Sequence, residues 1–167
     1  MQEIQPDLVG VLRILELANV RFVLIGGLAM VAHGSDYITR DVDVIYSREP
    51  DNLATLVAAL KPLHPRLRGV PEDLPFIFDV RMVKNVQNLT LVTDLGSVDL
   101  LGEAPGADSF DKLWERATVL EIEGVVVHVA SVDDLIAMKK AADRPKDQLH
   151  VMELRALREL KAEYHPS

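Results

Sequence analysis

Val23-Leu24-Ile25-Gly26-Gly27, then thirteen residues, then Asp41-Val42-Asp43-Val44: the reading of this chain turns on these two short runs and the distance between them. Arg21 to Ile25 is a β-rich run stopped by two glycines, and Leu28-Ala29-Met30-Val31-Ala32 after it reads as a helix ending at Gly34. Without Cβ atoms, Gly26 and Gly27 let the backbone turn sharply and bring N–H groups close to phosphate oxygens. Val42, Val44 and Tyr46 then alternate with Asp41, Asp43 and Ile45, the period of a strand. Side chains alternate along a strand, so Asp41 and Asp43 share one face. Two like charges so close resist ionising together unless a cation lies between them. Mg²⁺, with Mn²⁺ as a substitute, takes oxygen ligands from one or two carboxylates and fills its shell with phosphate oxygens and water.

A third acid is available in Ser97-Val98-Asp99-Leu100-Leu101, an apolar run that can pair beside the first acidic strand. Three carboxylates suit two metal ions and in-line nucleotidyl transfer, with Asp99 placed to accept the proton of an attacking hydroxyl. Asp79 and Asp94 are the other candidates for this position. Asp94 precedes Gly96 and reads as turn chemistry, while Asp79 lies close to Arg81, which can pair with it. Taken singly, Gly-Gly after a strand is usually only a turn, and Asp-x-Asp is often a solvated strand edge. Their joint order and spacing give the pattern its weight.

The rest of the chain arranges itself around this centre. Leu8, Val11, Leu12, Leu15 and Ala18 recur at helical spacing, and a helix is expected from about Asn52 to Leu60. Residues 61–75, with four of the nine Pro, read as a loop. Strands are expected over 76–83, 89–93 and 98–101, a short helix over 110–116, and a hairpin about Glu123-Gly124. Two helices close the chain, the first capped by Ser131 with Asp134 three residues on, the second beginning after Pro145. The expectation is an α/β (α+β) fold with a mixed sheet, in one unit over 1–167: a core of about 7–130 and C-terminal helices of about 131–163.

Composition narrows the chemistry. With 167 residues, 49% of them hydrophobic, the chain can bury one core but hardly two. Nothing approaches the ~20 apolar residues of a membrane span, and Met1 to Asp7 lacks the basic, apolar pattern of a leader, so a cytoplasmic protein is expected. The absence of Cys excludes thiolate zinc sites and cysteine nucleophiles, and the five His show no ligand spacing. A net charge of −8 argues against indiscriminate nucleic-acid binding, although Met138 to Lys161 carries seven Lys or Arg against four Asp or Glu. His33 beside Gly34 reads as a packed or capping residue, and Trp114 as core.

At these residues the chain resembles the nucleotidyltransferase superfamily of polymerase-β-like fold, whose signature is an apolar strand, Gly-Gly or Gly-Ser, about a dozen residues, then Asp-x-Asp or Asp-x-Glu. The likeness continues through Leu28-Ala29, His33-Gly34 and Thr39-Arg40-Asp41, and through Asp134 to Lys139 with Arg144-Pro145-Lys146-Asp147. That second block is similar to the minimal bacterial branch with the AbiEii and MenT type toxins. The resemblance implies Lys139 and Asp147 near the triphosphate and Ser35 and Thr39 on a phosphate-binding loop; Lys146 is a further nucleotide-binding candidate, although Lys139, Arg144 and Lys146 also read as an ordinary solvated helix end. Tyr37 stands where many relatives carry a basic residue.

The implied reaction moves a nucleoside monophosphate from a nucleoside triphosphate, ATP among them, to an acceptor hydroxyl and releases pyrophosphate. A tRNA or protein acceptor, in a toxin-like or regulatory role with an antitoxin partner, is the first expectation; the alternative is a small hydroxylated compound such as an aminoglycoside or lincosamide, the acceptor of an antibiotic-modifying enzyme. A homodimer can complete a minimal site. The non-enzymatic alternative is a catalytically dead fold that binds a protein.

Overall fold

The computed structural model describes residues 6–164; residues 1–5, part of the stretch read for a leader, and His165 lie outside it. The chain runs α1 (Leu8–Leu17), β1 (Phe22–Ile25), α2 (Gly26–Ala32), β2 (Asp41–Tyr46), α3 (Pro50–Leu60), a single 3₁₀ turn, β3 (Arg66–Leu67), α4 (Val80–Asn85), β4 (Asn88–Thr93) and β5 (Gly96–Leu101). It finishes with α5 (Phe110–Arg116), the hairpin β6 (Thr118–Ile122) and β7 (Val125–Val129), α6 (Val132–Ala142) and α7 (Pro145–Tyr164). The strands form one mixed sheet in the order β3-β4-β5-β2-β1-β7-β6.

Local chemistry explains the start of most helices. Asp7 accepts the Gly10 N–H at 2.8 Å to cap α1, Ser109 caps α5 through the Lys112 N–H, and Ser131 caps α6 through the Asp134 N–H. α1 buries Val11, Leu12 and Leu15, while β1 is buried along its whole length. The centre of the sheet is therefore apolar on both faces except where Asp41, Asp43 and Asp99 interrupt it.

Three readings change. Residues 76–83 are not a strand: Asp79 accepts the Met82 N–H at 2.8 Å and starts α4. Between Phe76 and Val83 only Phe78 and Val83 are buried, so no sheet face is formed to outweigh the cap. The Pro-rich stretch 61–75 is not loop throughout, because Arg66 and Leu67 pair with Val92 and Leu91 as the sheet's edge. Two residues of edge strand behind Pro65 leave no periodicity to read. Finally, α2 begins at Gly26 itself rather than beyond the glycine pair.

Candidate active site

β2 is the strand that organises the site. It runs antiparallel to β1 and parallel to β5, with Asp43 opposite Ile25 on one side and Asp99 on the other. Asp41 lies two residues before Asp43, opposite Ser97. The pairing of β5 beside β2 thus brings the three acids of the sequence pattern together, whereas Asp79 is spent as a cap and Asp94 pairs with His64 at 2.6 Å. Burial, together with the neighbouring Asp99 and Asp41 carboxylates, pushes the Asp43 carboxyl up to about 7.

The glycine pair is fitted against this cluster. Gly26 has φ +72°, and a Cβ there would overlap Asp43 Oδ2. A Cβ on Gly27 would press on the Tyr37 ring and on Thr39. The backbone at the start of α2 therefore lies directly against one carboxylate and under the 35–40 loop, a closeness that only glycine permits. Ser35 does not reach the cleft: its buried hydroxyl donates to Glu153 of α7 at 2.5 Å and accepts the Tyr37 N–H at 3.0 Å, tying that loop to the last helix. Thr39 does line the cleft.

The opposite wall comes from α6 and α7. Asp147 is fully buried, Arg144 Nε donates to its Oδ2 at 2.6 Å, and Lys139 Nζ lies 3.4 Å from its Oδ1. The Arg144 hydrogen bond, with Lys139 beside it, holds the Asp147 carboxyl down to about 2 against the opposing effect of burial. Lys146 lines the same cleft from the first turn of α7. The cavity between the walls is about 390 Å³; Leu101, Ala104, Pro105 and Met138 form its apolar side.

Several participants had no sequence signal. Arg68 reaches Asp99 with Nη2 at 2.6 Å from Oδ1, from a stretch read only as loop. Tyr37 packs edge-on against His150, whose Nδ1 is buried without a hydrogen-bond partner. By contrast His33 is packed, as expected, with Nε2 against the Ala130 carbonyl at 2.8 Å, and Lys161 meets its Nδ1. Trp114 stacks on His128 with Arg21 over its face, away from the carboxylates.

The donor set can be tested against a metal. Three carboxylates on adjacent strands supply the hard oxygen ligands that Mg²⁺ requires, and the raised Asp43 carboxyl marks a deficit of positive charge among them. Among the described residues no three acidic or histidine side chains close on one point, and Asp99 is engaged by Arg68. The carboxylates suit the ion in kind and lie on adjacent strands, while their side chains do not close on a single point and Asp99 meets an internal cation.

A mixed sheet carrying paired acids beside a Gly-Gly helix start defines the class of the protein. The chain belongs to the family described as nucleotidyltransferases of unknown function, DUF6036, which matches residues 13–164. It is a nucleotidyltransferase of polymerase-β-like fold. Among solved structures it is similar to the lincosamide antibiotic adenylyltransferase LnuA bound to lincomycin, with TM-score 0.59 and 15% identity over 90% of this chain and 95% of that one. The antibiotic-resistance factor ANT(2″)-Ia shares the fold at TM-score 0.56 and 16% identity over 92% of this chain and 82% of that one. A candidate nucleotidyltransferase of Thermotoga maritima does so at TM-score 0.52 and 14% identity, covering 93% and 91%. No curated protein matches by sequence. No described helix is long and apolar enough to cross a membrane.

Proposed function

We propose that this chain transfers a nucleoside monophosphate from a nucleoside triphosphate to an acceptor hydroxyl, with Asp41, Asp43 and Asp99 as the ligands of Mg²⁺ or Mn²⁺. The observation that carries the reading is the register of β2 and β5, which sets Asp43 against Asp99 with Asp41 beside them at the mouth of the cleft. When bound, the ion supplies charge neutralisation at the triphosphate and acidifies the attacking hydroxyl. Asp99 accepts the proton of that hydroxyl. Gly26 and Gly27 leave room for phosphate oxygens against the backbone, Thr39 flanks them, and Lys139 and Lys146 face the triphosphate from the opposite wall. Asp147 anchors Lys139, so its role is to position that ammonium group.

For the acceptor, the charge distribution favours a small hydroxylated molecule. Of the seven cations between Met138 and Lys161, four are already engaged: Lys139 and Arg144 with Asp147, Arg158 with Asp133, and Lys161 with His33. Little of the basic strip then remains to neutralise an RNA backbone. A tRNA or protein acceptor with an antitoxin, as in the AbiEii and MenT branch, or completion of the site by a second copy, has no comparable support. The test is label transfer from each α-labelled triphosphate to hydroxylated aminoglycosides and lincosamides, to tRNA and to protein, with pyrophosphate release measured in parallel. Mg²⁺-dependent label on a small molecule alone supports the reading; label on tRNA or protein alone overturns the acceptor assignment.

A further inference from the structure

The cation nearest the three acids belongs to the chain itself. The Arg68 N–H extends the edge strand by donating to the Thr90 carbonyl at 3.0 Å, and Thr90 stands opposite Asp99, which stands opposite Asp43. Arg68, Asp99 and Asp43 thus lie on one row across four strands, and the guanidinium spans β4 to reach Asp99 Oδ1 at 2.6 Å. Its other bond is a longer one, Nη2 to the Leu91 carbonyl at 3.3 Å. The Arg68 side chain is 36% exposed, and the segment that follows, 69–75, is exposed at every residue. Nothing in the packing therefore locks the arginine in place, whereas Asp99, in the middle of the sheet, is 19% exposed and fixed by β5.

We propose that Arg68 is a displaceable counter-ion for Asp99: it satisfies the third carboxylate of the metal-free protein, and it competes with the divalent cation for that carboxylate. This rests on the metal reading above. Arg68 engages only Oδ1 of Asp99, so a divalent cation bound through the same carboxylate shares its charge with a guanidinium of like sign, and that repulsion favours loosening the arginine. The arrangement also sets a direction for the released side chain. Arg68 comes from the β3–β4 edge and the glycine pair from β1, with the carboxylates between them, so a freed guanidinium stays on the side away from the phosphate-binding backbone.

The experiment is a Mn²⁺ titration of the full chain without nucleotide, following free Mn²⁺ by electron paramagnetic resonance, for wild type, Arg68→Ala, Arg68→Lys and Arg66→Ala. Arg66, exposed on the same edge strand, controls for the loss of one positive charge without loss of the ion pair. Arg68→Ala is expected to bind Mn²⁺ about three- to fivefold tighter, the size of a part-exposed ion pair. Arg66→Ala should change affinity by less than about twofold, because a charge not in contact is screened. Arg68→Lys, which keeps the charge and the alkyl stem and so guards against a folding defect, should lie between. Arg68→Ala that binds no tighter than Arg66→Ala, or more weakly than wild type, overturns the proposal while leaving the metal site standing. A wild type that takes up no Mn²⁺ removes both.

Discussion

Asp43 and Asp147 face each other across one cleft as two withdrawn aspartates in opposite electrical circumstances. Asp43 sits between two further carboxylates, and its carboxyl is pushed up to about 7. Asp147, with no exposed surface, holds Arg144 and Lys139, and its carboxyl is held down to about 2. Burial raises both; the neighbours decide the sign. An acid whose charge is already matched is a structural device, whereas one surrounded by its own kind is incomplete until a cation arrives. The two walls of the cleft divide the work accordingly: α6 and α7 present a finished ion pair, and β2 with β5 presents an unbalanced one.

Exchanging the two acids for neutral residues should separate these roles. Asp43→Ala or Asp41→Ala is expected to lower nucleotidyl transfer by more than about a thousandfold, the loss of metal-held charge stabilisation, while the metal-free protein melts at the same or a higher temperature. Asp147→Ala should do the reverse at the level of folding, losing about 3 kcal/mol in urea unfolding because Lys139 is left without its buried partner. If Asp43→Ala were the less stable of the two, the contrast would be broken.

The same contrast has a pH signature. A carboxyl raised in the folded state contributes stability that is full below the ordinary value of 3.8 and is lost as pH rises through about 7, so metal-free stability should fall over that window on account of Asp43. A depressed carboxyl contributes stability above 3.8 that is lost as pH falls toward about 2, so Asp147 should show its effect only in acid. Urea midpoints from pH 2 to 8 measure both; Asp43→Asn should flatten the upper limb, and an unchanged upper limb would show that Asp43 is not the group responsible.

Smaller effects sharpen the assignment. Lys139→Ala should weaken triphosphate binding by about tenfold, roughly 1.4 kcal/mol, with little change in folding because Arg144 still holds Asp147; isothermal titration with a non-hydrolysable triphosphate reads it. Smallest of all, Asp79→Ala should cost about 1 kcal/mol of stability as a lost helix cap and leave transfer unaltered. A loss of activity there would return Asp79 to the catalytic set.

What the sequence disclosed follows from the range of its signals. Gly26-Gly27 and Asp41-Val42-Asp43 lie within twenty residues and obey simple periods, so a strand, the helix after it and two same-face acids were readable directly, as were the Ser131 cap and the Glu123-Gly124 hairpin. That Asp99 faces Asp43 depends on which strands become neighbours, and the apolar run around it only allowed this. Arg68 and His150 were not readable: one follows a two-residue edge strand, the other lies on a helix, and neither has a local pattern. Asp79 misled because Phe76-Ile77-Phe78 is β-rich, while the deciding interaction is a single cap to Met82. Ser35 lay on the expected loop, yet its hydroxyl is drawn to Glu153, 118 positions away in sequence.

The most direct test of the central claim is thermal unfolding of wild type and Asp43→Asn with each of the four nucleoside triphosphates, with and without Mg²⁺. A ligand bound only by the native state at ~100 times its dissociation constant adds roughly 2.7 kcal/mol. The account predicts that at least one triphosphate raises the wild-type transition by an amount of that order only when Mg²⁺ is present, and that Asp43→Asn loses the shift. A shift of equal size in both proteins, or none in the wild type with any triphosphate, would contradict the assignment of Asp41, Asp43 and Asp99 to metal and nucleotide.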